Sequence, residues 1–144
     1  DYRLELARKM GADAAVNVKS EDLPTVMHKQ GLVEGFDIGL EMSGNGAGLQ
    51  QMISVMRNGG KISLLGISNK PVPMDMNTII CKGLTMQGIY GRKMDNWHQM
   101  SYMVQGGLDL TPVITHRFHY TQFEEGFAAM NSGKSGKVIL DWSK

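Results

Sequence analysis

Cysteine is almost missing from this chain: Cys81 stands alone among 144 residues. That excludes an intrachain disulfide and a thiolate zinc cluster built within the chain, and it suits a reducing, cytoplasmic setting. Proline is scarce at four residues, and aromatic side chains make up 7%. No apolar run approaches the roughly 20 residues that a membrane-spanning helix needs. Neither sign of charge dominates, since 15 Lys and Arg face 14 Asp and Glu for a formal +1. Nucleic acid and anionic membrane therefore have no electrostatic claim as partners. The amino end lacks a basic-then-apolar signal pattern and Asp1 is no initiator residue, so the sequence reads as the continuation of something upstream.

What is present is ordinary globular material, 42% apolar and 20% charged, enough for one domain with a core and short for a two-domain enzyme. Twelve methionines exceed average usage. Several fall at helical spacing, such as Met100, Met103 and Val104, and are expected to pack in the core. Tyr2 to Met10 reads as an amphipathic helix that Asp1 can cap and Gly11 can end. Ala14 to Val18 reads as a short strand, then Ser20 to Gln30 as a helix with Pro24 in its first turn. "FDIGLEM" is a strand, and "GLQQMISVMRN" a helix with Leu49, Met52, Ile53 and Met56 on one face, closed by Gly59 and Gly60. The run "KISLLGI" is expected to be a strand buried on both faces. Residues 68 to 78 form a loop, Ile79 to Lys82 a helical turn, and "LTMQGIYG" a further strand. Strands alternating with helical crossovers argue for a parallel sheet. Beyond it come a helix over Asn96 to Gln105, a strand "PVITHRF", a helix that Thr121 and Glu124 could box, and a last strand "GKVILDW".

Local chemical motifs are weak. "SGNGAGL" follows a strand and opens a helix, as a phosphate-binding turn does, but Leu49 stands where the third glycine of G-x-G-x-x-G belongs. A tight strand-to-helix turn is the preferred reading. "GKSGK" fails as a Walker motif, because Ala128 occupies the leading position and a strand follows. Of the four histidines, His116 and His119 lie three apart in an extended stretch and point to opposite faces, so they do not jointly clasp a metal. Glu41, at a strand end, fits a ligand contact or a surface or capping role equally. The stronger signal is collective: in open parallel sheets ligands sit beyond the carboxyl ends of the strands. "EMSG", "LLGIS" and "GIYG" place small residues there, where a flat, nucleotide-like ligand could lie against the backbone.

"DYRLELARKMGAD", "GFDIGLEMSG", "GGKISLLGI", "KGLTMQGIYGRKM" and "GGLDLTPVITHRF", ending "GKSGKVIL", together resemble the carboxy-terminal portion of the threonine-oxidising branch of the zinc-dependent medium-chain dehydrogenases. The likeness covers essentially the whole chain. It implies an α/β fold, a partial Rossmann domain over residues 1–96 whose doubly wound parallel sheet lacks its first strands, and a carboxy-terminal piece of the catalytic domain over residues 97–144. In the family's strand order 3-2-1-4-5-6, "AAVNV" would be strand 3, either closing against strand 4 or leaving exposed edges for partner chains to cover.

It further implies NAD-dependent oxidation of L-threonine to 2-amino-3-oxobutanoate by a cytoplasmic homo-oligomer whose dimer seam lies near Thr85–Gly91. Carried over by position, Arg3 would lie on the adenosine side of NAD, and Leu65, Gly66, Ile67, Ile89 and Tyr90 on the nicotinamide side. The zinc ligands, the proton relay and the glycine-rich first turn belong to upstream sequence, so zinc is expected in the intact enzyme only and this chain alone is expected to be inactive. A non-catalytic nucleotide-binding or assembly module stays open as the alternative. A zinc-free quinone reductase is disfavoured by "GIYGR" and "ITHRF".

Overall fold

The computed structural model describes residues 2–143. In chain order its helices are α1 (Tyr2–Lys9), α2 (Leu23–Lys29), α3 (Gly46–Val55), α4 (Met76–Lys82), α5 (Met94–Gln105) and α6 (Phe123–Asn131). The strands are β1 (Phe36–Glu41), β2 (Met56–Leu64), β3 (Thr85–Gly88), β4 (Ile114–His119) and β5 (Lys137–Asp141). These elements divide between two compact units, Asp22–Arg92 in one, and in the other the described residues up to Glu21 and from Lys93 onward. The α/β expectation holds, and every strand pairing is parallel.

In the Asp22–Arg92 unit the strand order is β1-β2-β3. α3 crosses from β1 to β2 and α4 from β2 to β3, as parallel neighbours require. The short helices α2 and α4 start by the same device. Asp22 accepts from the Thr25 amide at 3.0 Å and hydroxyl at 2.7 Å, and Asp75 accepts from the Thr78 amide at 3.1 Å and hydroxyl at 2.5 Å. Each carboxylate satisfies N–H groups that a first turn leaves without intrahelical partners. α2 therefore begins at Leu23, not at Ser20, and α4 begins three residues before the expected turn. Gly83, at φ +59°, closes α4 in the left-handed conformation that favours glycine.

Leu49 and Ile53 of α3 pack with Met56 and Ile62 of β2 as the core, flanked by Phe36, Met52, Leu64, Val72, Ile79, Leu84 and Met86. Full burial of such a side chain contributes about 1.5–3 kcal/mol each. Met56, expected on the helix, instead caps α3 with extended backbone and opens β2. The glycine pair does not close the helix but lies inside β2, at an irregularity where the register jumps from Phe36↔Met56 to Ile38↔Lys61.

The expectation that "KISLLGI" is buried on both faces fails. Ile62 is buried while Lys61 beside it is exposed, and across the same face Ile38 is 67% exposed. Only one sheet face carries helices here, so alternation reappears where two covered faces would have erased it.

In the other unit, α6 crosses between the parallel strands β4 and β5. Gly126 lets it lie close to the sheet, since a Cβ there would stand 3.2 Å from Leu140 and 3.6 Å from Phe118 and Val138. The Thr121–Glu124 box does not form. A 3₁₀ turn over Tyr120–Gln122 intervenes, closed by the His119 ring and the Gln122 side chain.

Ala14–Val18 is not a strand, so no strand 3 closes against β1. The Ala15 carbonyl accepts from the Arg8 guanidinium at 2.8 Å, and Asn17 turns the chain by accepting from the Ser20 and Glu21 amides. These polar groups are answered locally and join no ladder. The expected core role of α5 also fails: it has no buried residue, and Trp97, Met100, Met103 and Val104 are all exposed. The Asp1 cap lies outside the described residues.

Candidate functional site at the strand ends

The carboxyl ends of β1, β2 and β3 lie side by side, held beyond the last ladder pairs by main-chain bonds. Glu41 O accepts from Leu65 N at 2.8 Å and Gly66 N at 2.9 Å, and Leu64 O accepts from Ile89 N at 2.9 Å. Glu41 is 5% exposed. Its Oε1 accepts from the Ser43 amide at 2.9 Å, the Ser43 hydroxyl at 2.5 Å and the Gly44 amide at 2.9 Å, and Oε2 accepts from the same Gly44 amide at 3.2 Å. The Ser43 hydroxyl holds the carboxyl below the usual glutamate range, burial works against it, and the backbone N–H groups add to the lowering. The charge is thus balanced by dipoles, in charge-assisted hydrogen bonds.

The turn "SGNGAGL" is a strand-to-helix junction that its own side chains complete. Asn45 accepts from Ala47 N at 2.9 Å and Gly48 N at 3.4 Å, while the Ser43 hydroxyl accepts from Asn45 N at 3.1 Å. N–H groups that a phosphate would use are committed to the cap. The glycines serve close approach. Gly44, at φ +67°, leaves no room for a Cβ against the Ile67 carbonyl, and a Cβ on Gly46 would meet Val72 at 2.9 Å. Gly66 passes over this turn, and a Cβ there would strike the Gly44 backbone and Glu41 Oε2. Beside the junction a groove of about 560 Å³ opens between residues 43–47, Gln50 and the loop 68–73. A smaller cavity of about 90 Å³ is lined by Glu41, Gly44, Leu64, Gly66, Ser68 and Val72 among others.

Of the residues singled out from the sequence, the structure brings five together. Leu65, Gly66 and Ile67 leave β2, and Ile89 and Tyr90 leave β3 next to them. Ile67 is 80% and Tyr90 94% exposed, so they form a ledge open to solvent. Arg3 belongs to the other unit, where its Nε donates to Ser135 O at 3.2 Å. His116 and His119 bond to the Thr115 and Thr121 hydroxyls through their Nδ1 atoms. Sequence reading did not single out Asn45, although Asn before a helix is a cap signal, or Lys82, whose partners are distant in sequence.

A family model described as zinc-binding dehydrogenase matches residues 1–106. The chain belongs to that family. As a zinc-binding dehydrogenase it is 56% identical over 143 residues to the L-threonine 3-dehydrogenase of Anaeromyxobacter dehalogenans (strain 2CP-1), covering 99% of this chain and 41% of that protein. It is 58% identical over 146 residues to the L-threonine 3-dehydrogenase of Deinococcus deserti, covering 100% of this chain and 42% of that one. The chain thus spans about 41% of the length of the curated relatives it matches, corresponding to their carboxy-terminal portion. Among solved structures, a short chain alcohol dehydrogenase from Escherichia coli CFT073, complexed with NADH, superposes with TM-score 0.84 at 20% identity, over 99% of this chain and 42% of that one. That likeness establishes the fold, a partial Rossmann piece, and the resemblance read from the motifs is borne out.

Two groups implied by the zinc-binding dehydrogenase family fit these residues unequally. Among the described residues no group of three or more His, Cys, Asp or Glu could hold a metal ion, so a zinc centre does not fit here. The ring side of NAD fits better, because glycine at position 66 and the exposed Leu65, Ile67 and Ile89 offer a flat, largely apolar ledge at the strand ends. The diphosphate side does not, since Asn45 already caps α3. No helix among the described residues is long and apolar enough to cross a membrane.

Proposed function

We propose that this chain forms the nicotinamide-side wall and the carboxy-terminal part of an NAD-dependent L-threonine 3-dehydrogenase, which oxidises the threonine hydroxyl to give 2-amino-3-oxobutanoate. The observation that carries this reading is identity of 56–58% to enzymes of that name, sustained over 99–100% of the chain. Bound NAD supplies the hydride acceptor. The chain's own residues orient the ring: Leu65, Ile67 and Ile89 exclude water from one face, Gly66 permits close approach, and Tyr90 borders the opening. Arg3 belongs to the adenosine side in this reading.

Nothing in this wall removes the hydroxyl proton, so the chain is inactive by itself. Residues 1–96 constitute the cofactor-side part and 97–144 a piece of the catalytic domain, a division of the intact cytoplasmic protein and not of this chain's internal contacts. The outer edge of β3 and the residues that follow it, Thr85–Gly91, form the seam between copies of the assembled enzyme.

The test is a chimera joining the amino-terminal portion of the Anaeromyxobacter dehalogenans relative to this chain. Threonine-dependent reduction of NAD is expected, with none from the chain alone. A folded chimera that retains zinc and NAD but leaves threonine unoxidised would favour a non-catalytic nucleotide-binding or assembly module.

A further inference from the structure

The buried carboxylate of Glu41 has no part in the reading above, yet it sits behind the ledge. Its two oxygens hold the Ser43 and Gly44 amides and the Ser43 hydroxyl, all within 3.2 Å, while its own carbonyl accepts from Leu65 and Gly66. One residue therefore grips both the β1–α3 turn and the exit of β2. The two backbones are also interlocked: Gly44 abuts the Ile67 carbonyl, and Gly66 abuts Gly44 N and Glu41 Oε2. Carboxylate, turn and ledge are thus in direct contact, beside the small cavity that Glu41, Gly44 and Gly66 help to line.

We propose that Glu41 is a positioning residue of the cofactor wall, whose carboxylate pins the Ser43–Gly44 turn and, through the interlocked Gly44 and Gly66 backbones, fixes the Leu65–Ile67 ledge on which a nicotinamide-type ring rests. The ring assignment rests on the reading just given, whereas the mechanical coupling does not. Displacement of the turn passes to the ledge through the direct Gly44–Gly66 backbone approach and through the hydrogen bonds that share Glu41. An ionised carboxylate also grips amide donors more strongly than a neutral carboxamide does. Glu41→Gln keeps the volume and removes the charge, so the turn loosens without opening a cavity.

The experiment is amide hydrogen exchange on the 144-residue chain, read residue by residue by NMR without ligand. In Glu41→Gln the amides of Ser43, Gly44, Leu65 and Gly66 should exchange at least about tenfold faster, while core amides such as Ile62 change much less. Glu41→Asp, which keeps the charge on a shorter arm, should recover part of the protection. Ser43→Ala removes one hydrogen bond and leaves the charge, and it serves if Glu41→Gln does not fold; Leu65 and Gly66 should again respond with Gly44. Unchanged exchange at Leu65 and Gly66, or uniform acceleration across the whole unit, overturns the proposal, the second outcome marking Glu41 as a general stabiliser. Because no cofactor enters this measurement, a silent threonine assay of the chimera and a failure of the clamp are separate results.

Discussion

Lys82 shows what one residue can do when its partners are remote in sequence. Its Nζ donates to the Ser54 carbonyl at 2.6 Å, the Met56 carbonyl at 2.8 Å and the Ile53 carbonyl at 3.4 Å, closing the end of α3 with a positive charge where the helix dipole is negative. Lys82→Met should lower the unfolding free energy by about 1–2 kcal/mol in urea titration. Glu41 predicts a pH effect. Its folded pKa lies below the ordinary 4.5. The stability it contributes is therefore complete above that value and lost as pH falls through the lowered one. Thermal melts should show the Asp22–Arg92 unit weakening below about pH 4.5, with a flatter acid limb in Glu41→Gln. The Asp-x-x-Thr caps at residues 22–25 and 75–78 are local patterns, with donor and acceptor three residues apart, yet the sequence reading placed these starts at Ser20 and Ile79. The Lys82 cap is not local, since nothing nearby in sequence links it to a helix end 26 to 29 residues earlier.

At the scale of elements, helical period and strand alternation located most segments but did not decide what each would face. α3 and β2 meet as their apolar spacing requires. α5 has equally good spacing, yet Trp97, Met100, Met103 and Val104 remain exposed, because periodicity reports that a helix has an apolar face and is silent on whether the chain supplies a cover. "AAVNV" has strand composition without a ladder, which shows β-propensity yielding to context. α6 depends on a missing side chain. Gly126→Val should cost about 1–3 kcal/mol by overpacking against Leu140, Phe118 and Val138. Loss of protection confined to α6, β4 and β5 in hydrogen exchange would locate that cost, whereas an unaltered melting curve would show that the helix can lift without penalty.

For the whole molecule, the parallel sheet β1-β2-β3 brings together a ledge whose residues lie more than twenty positions apart along the chain, Leu65 to Ile67 and Ile89 to Tyr90. In the proposed reading only one face of the ligand is provided for. Titration with NADH, followed by cofactor fluorescence, should accordingly show weak binding or none, and submicromolar affinity would contradict the half-built site. Purified chain should carry substoichiometric zinc by elemental analysis, since no three-ligand cluster occurs among the described residues. The sequence by itself determined the α/β class, the parallel crossovers, the presence of each helix and the family, because these depend on local spacing and on motifs held in order. Only the tertiary structure decided that Glu41 is buried and bound to a turn, that Gly44 and Gly66 interlock, and that the α5 stripe and one sheet face lie exposed. Burial and close approach are relations between distant segments, and a linear pattern encodes the face a residue belongs to without encoding what, if anything, will meet it.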